Sequence, residues 1–320
     1  MKIAIQIFLT IALTWLIVSQ VGVTLDEFAS PGLAAPALNP AWLALGTVLL
    51  LAGYLVTARL WGRMVGELGG IDPGGAASIR IVLTANLGRY LPGKFWQMAG
   101  LALLAKRYGG SATLGATAGV LSHIFALAAT GLVALPLLAG PSAPLGRARI
   151  PVLMLLALLA FAVAVPRVLH RVFTAALRVA RLPAAEVVGM DGWFGARWLA
   201  MHLVVWIIYS LAFISFVRGL GFEAGFAGFA APFAAAYLLG YLAIFAPAGI
   251  GVRDGFLIAF LRPEVGGAAV GIALFARVWM TLAELLPAGF VAMWELFRGG
   301  GVPTGSGETR REVRDGEPRT

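Results

Sequence analysis

The 320-residue chain has no cysteine, three histidines and only 12% charged residues. Without cysteine there is no disulfide framework, no thiol nucleophile and no thiolate metal site. His123, His170 and His202 show no metal-ligand spacing. No nucleotide-type phosphate loop is present, and the clustered Arg, Ser and His of a lipid phosphatase are missing as well. No cofactor is expected. The shortage of charge has a counterpart in excess apolar content. Apolar residues make up 60% of the chain, and the mean hydropathy is +0.90. This composition predicts an all-α polytopic membrane protein. The net charge of +9 is therefore read by its position along the chain. It is no sign of a nucleic-acid partner, because Lys and Arg collect on the cytoplasmic side of membrane proteins.

Hydrophobic segments run over 3–23, 41–61, 77–105, 112–139, 149–166, 194–217, 227–261 and 266–297. The first is long for a signal peptide's apolar region and is expected to stay as a span. The third and seventh are interrupted by charges and helix breakers. The loop 24–40 carries Asp26 and Glu27 without Lys or Arg, which places it outside. Arg59, Arg63, Lys106, Arg107 and the basic loop with Arg167, Arg171, Arg178, Arg181 and Arg197 belong inside. The segment 77–105 then starts and ends on one side, so it is re-entrant. The same reasoning makes 227–261 a hairpin from the opposite side.

The expected architecture is six spans plus two re-entrant hairpins in a single domain over 1–300. Pseudo-repeats 1–140 and 149–297 each read span, span, re-entrant, span. Three crossings in the first half invert the second, which predicts an inverted-topology repeat. Both termini fall in the cytoplasm. Residues 167–182 carry Arg on one stripe and Val168, Leu169, Val172, Phe173 and Leu177 on another, as in an interfacial amphipathic helix, with a solvated loop as the alternative. The Gly- and charge-rich stretch 301–320 is expected to be a disordered tail.

Ionisable residues inside a bilayer are expensive and mark substrate paths. Here they are Arg89, Lys94, Arg253, Asp254, Arg277 and Glu284, four cations against two carboxylates. Arg277 and Glu284 lie seven apart and should pair across helices. The surplus suits an anion, and arginine's planar fork suits phosphate. Pro92, Gly93, Gly249 and Gly251 let backbone N–H groups and helix N-termini approach it. Asn86 and Gln97 add neutral donors, and Tyr90 can line the cavity. His123 and His202 are expected to serve packing or helix–helix hydrogen bonds. Trp279 and Trp294 suit interfacial anchors.

The run Asn86-Leu-Gly-Arg-Tyr-Leu-Pro-Gly-Lys94 and the run Pro247-Ala-Gly-Ile-Gly-Val-Arg-Asp-Gly255 resemble the two signature motifs of one family. It is the lysylphosphatidylglycerol synthase transmembrane, or flippase-like, family. The resemblance covers roughly 1–298, and Asp254 stands where that family often has Glu. It implies a lipid-translocating membrane domain in the cell inner membrane with both motif loops near the lipid. It also implies a stand-alone member, lacking the soluble aminoacyl-transfer domain. The expected partner is an anionic phospholipid or a polyprenyl-phosphate-linked lipid, with a separate lipid-modifying enzyme or glycosyltransferase as a further candidate. The chain is not expected to be an enzyme. Two alternatives stand beside this reading. One is a polyprenyl-phosphate-dependent membrane glycosyltransferase with Asp26 or Glu27 as its acid. The other is a non-catalytic scaffold for envelope biogenesis.

Overall fold

A computed structural model describes residues 38–69, 71–90, 95–139, 192–243, 249 and 251–297, with five isolated positions between 154 and 171. The expected first span, Asp26, Glu27, Pro92, Gly93, Lys94, nearly all of 149–182, and the tail lie outside the described residues. Among those described, the fold is entirely helical.

Among the described residues eight α-helices follow one another: α1 Pro40–Glu67, α2 Gly75–Asn86, α3 Phe95–Arg107, α4 Ala112–Ala139, α5 Phe194–Gly219, α6 Ala231–Leu242, α7 Val252–Val265 and α8 Ala268–Phe297. A 3-10 turn, Leu87–Tyr90, extends α2, and a π turn, Phe226–Ala230, leads into α6. Four of these helices, α1, α4, α5 and α8, are long and apolar enough to cross a membrane. At about 1.5 Å per residue each spans about 40 Å, against about 30 Å of hydrocarbon. The other four have 12, 13, 12 and 14 residues, so each reaches only about 20 Å. The described helices therefore read long, short, short, long, twice.

Local chemistry sets the boundaries. Asn39 caps α1, its Oδ1 accepting from the backbone N–H of Ala41 at 3.1 Å and Trp42 at 3.3 Å, and Pro40 follows at the first helical position. The interrupted segments break where glycine, proline and charge coincide. Gly249 and Gly251 adopt φ of 67° and 80°, a region that side chains with a Cβ rarely occupy.

The two halves interlock. Helices α1 and α5 run antiparallel in contact along their length. At one end the N–H of Asn39 donates to the Gly219 carbonyl at 2.9 Å. At the other, Glu67 accepts from Arg197 and from the Trp198 indole. Between them Gly46 presses on the Ala212 and Phe216 backbone, and Gly53 lies under the Tyr209 ring. Small residues permit this approach where no hydrophobic drive acts between helices in lipid. The first short helix of each half packs on the last long helix of the other: α2 on α8, and α6 on α4.

Each pair of short helices leaves and rejoins one end of the bundle. Ser78 of α2 meets Gly62 of α1, while the Trp61 indole near the same end of α1 donates to the Gly115 carbonyl in the first turn of α4, where α3 hands over to it. The α2–α3 pair thus belongs to the Glu67 end. The π turn before α6 and the end of α7 come together at Gly228 and Glu264. They lie by the Gly219 end, because Arg218 near the end of α5 donates to the Ala224 carbonyl just before the π turn. The broken ends of the two short-helix pairs face one another across a shared cavity.

Candidate functional site

Where the hairpins meet, a cavity of about 140 Å³ opens between all the helices. The 3-10 turn contributes Arg89 and Tyr90, α2 Asn86, α3 Gln97, α7 Arg253, and α8 Arg277 and Glu284. A smaller pocket of about 60 Å³ shares Arg89, Gln97 and Arg253 with it and reaches Gly249. Seven of the sequence-predicted site residues therefore line the main cavity, and Gly249 its extension. Gly251 and Asp254 line neither; they stand behind. Pro92, Gly93 and Lys94 lie outside the described residues.

The charges pair across helices, as expected for Arg277 and Glu284. The Arg89 guanidinium lies 3.1 Å from Glu284 Oε1, and the Tyr90 hydroxyl donates to Oε2 at 2.8 Å. Glu284 is only 3% exposed, so both contacts offset its desolvation. Arg277 donates to Asp254 Oδ2 at 2.9 Å, with Arg253 at 3.7 Å from Oδ1. The Asp254 side chain also accepts from the Gly251 N–H at 3.1 Å. It thereby occupies the α7 N-terminus, so that N–H faces the protein's own carboxylate. This corrects the expectation that Gly251 offers its amide to an anion. Gln97 donates to Asn86 at 2.7 Å and ties α3 to α2. Among the described residues three arginines face two carboxylates at this centre, leaving a positive sum.

Beyond Tyr90, the tyrosines are the feature sequence reasoning missed. The chain has six tyrosines, and five of them, Tyr54, Tyr90, Tyr209, Tyr237 and Tyr241, line this cavity. A readable signal existed. Tyr54 with Thr57, and Tyr237 with Tyr241, stand at helical spacing in apolar stretches of α1 and α6 and so put hydroxyls on one face. Tyr209 bonds Thr57 at 3.0 Å, which orients both. His123 and His202 line the cavity too, each with Nδ1 against the carbonyl four residues earlier. Trp279, expected as an interfacial anchor, turns its polar edge toward a neighbouring helix. Its indole donates to Thr47 at 3.0 Å and its ring stacks on Phe216 at 4.5 Å, because the N–H finds a partner inside the bundle.

The fold and cavity define an all-helical membrane protein whose polar centre lies between two broken helical pairs. No family model matches the chain, and no curated protein matches it.

Proposed function

We propose that the chain is a lipid translocase of the flippase-like kind, which binds the headgroup of an anionic or phosphate-linked lipid between two re-entrant hairpins. The observation that carries this reading is the cavity where Arg89, Arg253 and Arg277 converge from both hairpins and α8. Fork-shaped cations suit phosphate oxygens, and a low-dielectric setting strengthens their hold. The tails would stay among the exposed apolar side chains of α8, such as Leu282, Leu286 and Phe290. Motion would be downhill, ion-coupled or driven by a partner. The resemblance of the two motifs to the lysylphosphatidylglycerol synthase transmembrane family agrees with this reading.

The inverted-topology repeat belongs to the same proposal. It is supported by antiparallel packing of the equivalent helices α1 and α5, by the reciprocal α2–α8 and α6–α4 contacts, and by hairpins that dip in from opposite ends. In such a repeat the site sits near the midplane and the halves rock about it. The chain would reside in the cell inner membrane with both termini cytoplasmic.

Reconstitution into liposomes with labelled anionic and zwitterionic lipids tests the function. Wild type should move the anionic headgroup between leaflets. Arg89→Ala and Arg253→Ala should abolish that movement at equal protein level, and Arg89→Lys should restore only part of it. Undiminished movement in both alanine variants would overturn the site. Orientation is tested in the same vesicles. A cysteine at Phe222 should react with an impermeant reagent from outside, and one at Gly109 should not. Labelling of both positions from one side would remove the inverted repeat.

A further inference from the structure

The two carboxylates at the centre are held by different kinds of partner. Asp254 accepts from the Gly251 N–H and from the Arg277 guanidinium, with Arg253 at 3.7 Å. Amide and guanidinium groups donate and cannot accept, so this set fits only an ionised carboxylate. Glu284 has one guanidinium and one hydroxyl. Arg89 lies 3.1 Å from Oε1, which makes no aligned hydrogen bond among the described residues. The Tyr90 hydroxyl meets Oε2 at 2.8 Å. A phenol both donates and accepts, and Tyr90 also has Thr281 within hydrogen-bond range. A proton on Glu284 can therefore be donated to the Tyr90 oxygen while the Tyr90 hydrogen turns to Thr281. Both forms of Glu284 are satisfied in place, and only the neutral form releases Arg89.

The other titratable groups around Glu284 come from every neighbouring element. Tyr54 of α1 and Tyr209 of α5 lie within range of the Glu284 and Arg89 charges, and Tyr237 of α6 within range of Arg89. His123 of α4 and His202 of α5 line the same cavity. Arg253 and Asp254 belong to α7, and α8 itself adds Arg277. Among the described residues Arg89 is the cation paired with Glu284. Ionised Glu284 therefore competes with any anion for the Arg89 fork. Protonation removes that competitor, and three arginines then face one carboxylate instead of two. It also opens the ion pair that joins α8 to the first broken segment, in the other half of the chain.

We propose that Glu284 is a proton-binding site linked to the anion site, so that one proton is taken up with each anionic headgroup and the proton is the coupling ion of transport. The proposal rests on the anionic-lipid reading above. The proton comes from water on the side of entry and forms an O–H bond on the Glu284 carboxylate. It returns to water on the side of exit, where the headgroup leaves and Arg89 pairs with Glu284 again. The linkage is reciprocal: a proton that favours the anion is favoured by it to the same degree.

Titration of the purified full chain in detergent with phosphatidylglycerol tests the linkage, because the phosphodiester of that probe stays ionised throughout. Wild type should bind up to about tenfold more tightly for each unit that the pH falls, the slope of one linked proton. Calorimetry in buffers of different ionisation enthalpy should report about one proton taken up per lipid. Glu284→Gln, which mimics the neutral carboxyl, should bind tightly at every pH and take up no proton. Glu284→Asp, His123→Gln and His202→Gln should all keep the slope. In liposomes an imposed pH gradient should drive labelled phosphatidylglycerol against its own gradient, and an imposed sodium gradient should not. A wild-type affinity independent of pH, with no proton uptake, would overturn the coupling while leaving the anion site standing. A slope that survives in Glu284→Gln, or vanishes in either histidine variant, would assign the proton to another group and overturn the role of Glu284. Movement driven by sodium would overturn the proton in favour of a metal cation. Binding of phosphatidylglycerol no tighter than phosphatidylcholine at any pH would sink the underlying reading itself. Should Glu284→Gln fail to fold, the wild-type slope, the proton count and the histidine variants still decide the question.

Discussion

The two broken segments carry similar residues but anchor them differently. At the first break Arg89 and Tyr90 reach across the molecule to Glu284 on α8, in the other half. At the second, Asp254 holds its own helix start through Gly251 and holds Arg277 on the next helix of the same half. One set of contacts joins the halves and the other stiffens a half internally. Any rocking of one half against the other must therefore stretch or exchange the Arg89–Glu284 pair, while Arg253, Asp254 and Arg277 travel as a unit. Helix α8 serves both breaks. Arg277 and Glu284 are two helical turns apart, about 10 Å along the axis, so one helix meets both hairpins.

The sharpest way to break this contrast is to remove the carboxylate shared between halves. Glu284→Gln leaves Arg89 without its counter-charge, and losses of about 3–5 kcal/mol follow when one partner of a buried pair is deleted. Thermal unfolding in detergent should show the largest drop of any single site here. The double variant Arg89→Gln with Glu284→Gln should recover part of it, since no orphan charge remains. Strict additivity of the two single losses would mean that the halves are not coupled through this pair.

Asp254→Ala should cost less to the junction between halves and more to the second hairpin. It removes the side-chain cap of α7, worth about 1 kcal/mol, and it leaves Arg277 and Arg253 facing each other without their shared carboxylate. Hydrogen exchange should rise in 251–260 while 80–90 stays protected. An equal rise at both hairpins would erase the distinction drawn between them.

A smaller effect is expected at Gly249. Its φ of 67° costs a residue with a Cβ about 1–2 kcal/mol. An added Cβ would also lie 3.1 Å from the Gly240 carbonyl oxygen. Gly249→Ala should lower the unfolding midpoint modestly and leave the Arg89–Glu284 coupling unchanged, as a double-mutant cycle would report. The smallest change belongs to Tyr209→Phe, which removes one hydrogen bond to Thr57. A loss of about 0.5–1.5 kcal/mol is expected, readable as a slight shift in the same melting curve. A large loss there would place Tyr209 among the residues that hold the halves together.

Composition and periodicity alone determined that the chain is helical and of membrane grade. Expected segments 41–61, 112–139, 194–217 and 266–297 match α1, α4, α5 and α8 to within a few residues at most boundaries. The interruption of 77–105 and 227–261 was legible too, because Gly, Pro and charge inside apolar sequence are local signals of a broken helix. The gathering of Arg89, Arg253, Arg277 and Glu284 was foreseeable from the cost of bare charge in lipid, which forces such groups to find one another. Their partners were not. Nothing in the chain says that Glu284 takes Arg89 and Tyr90 whereas Arg277 takes Asp254, because pairing depends on how α8 is rotated between the hairpins. Nor does it say that Trp279 turns inward to Thr47, or that tyrosines from α1, α5 and α6 join Tyr90 around one cavity. Spacing along a helix fixes which residues share a face. Only the packing of helices distant in sequence decides what that face meets, and so the shared cavity emerges from the tertiary structure alone.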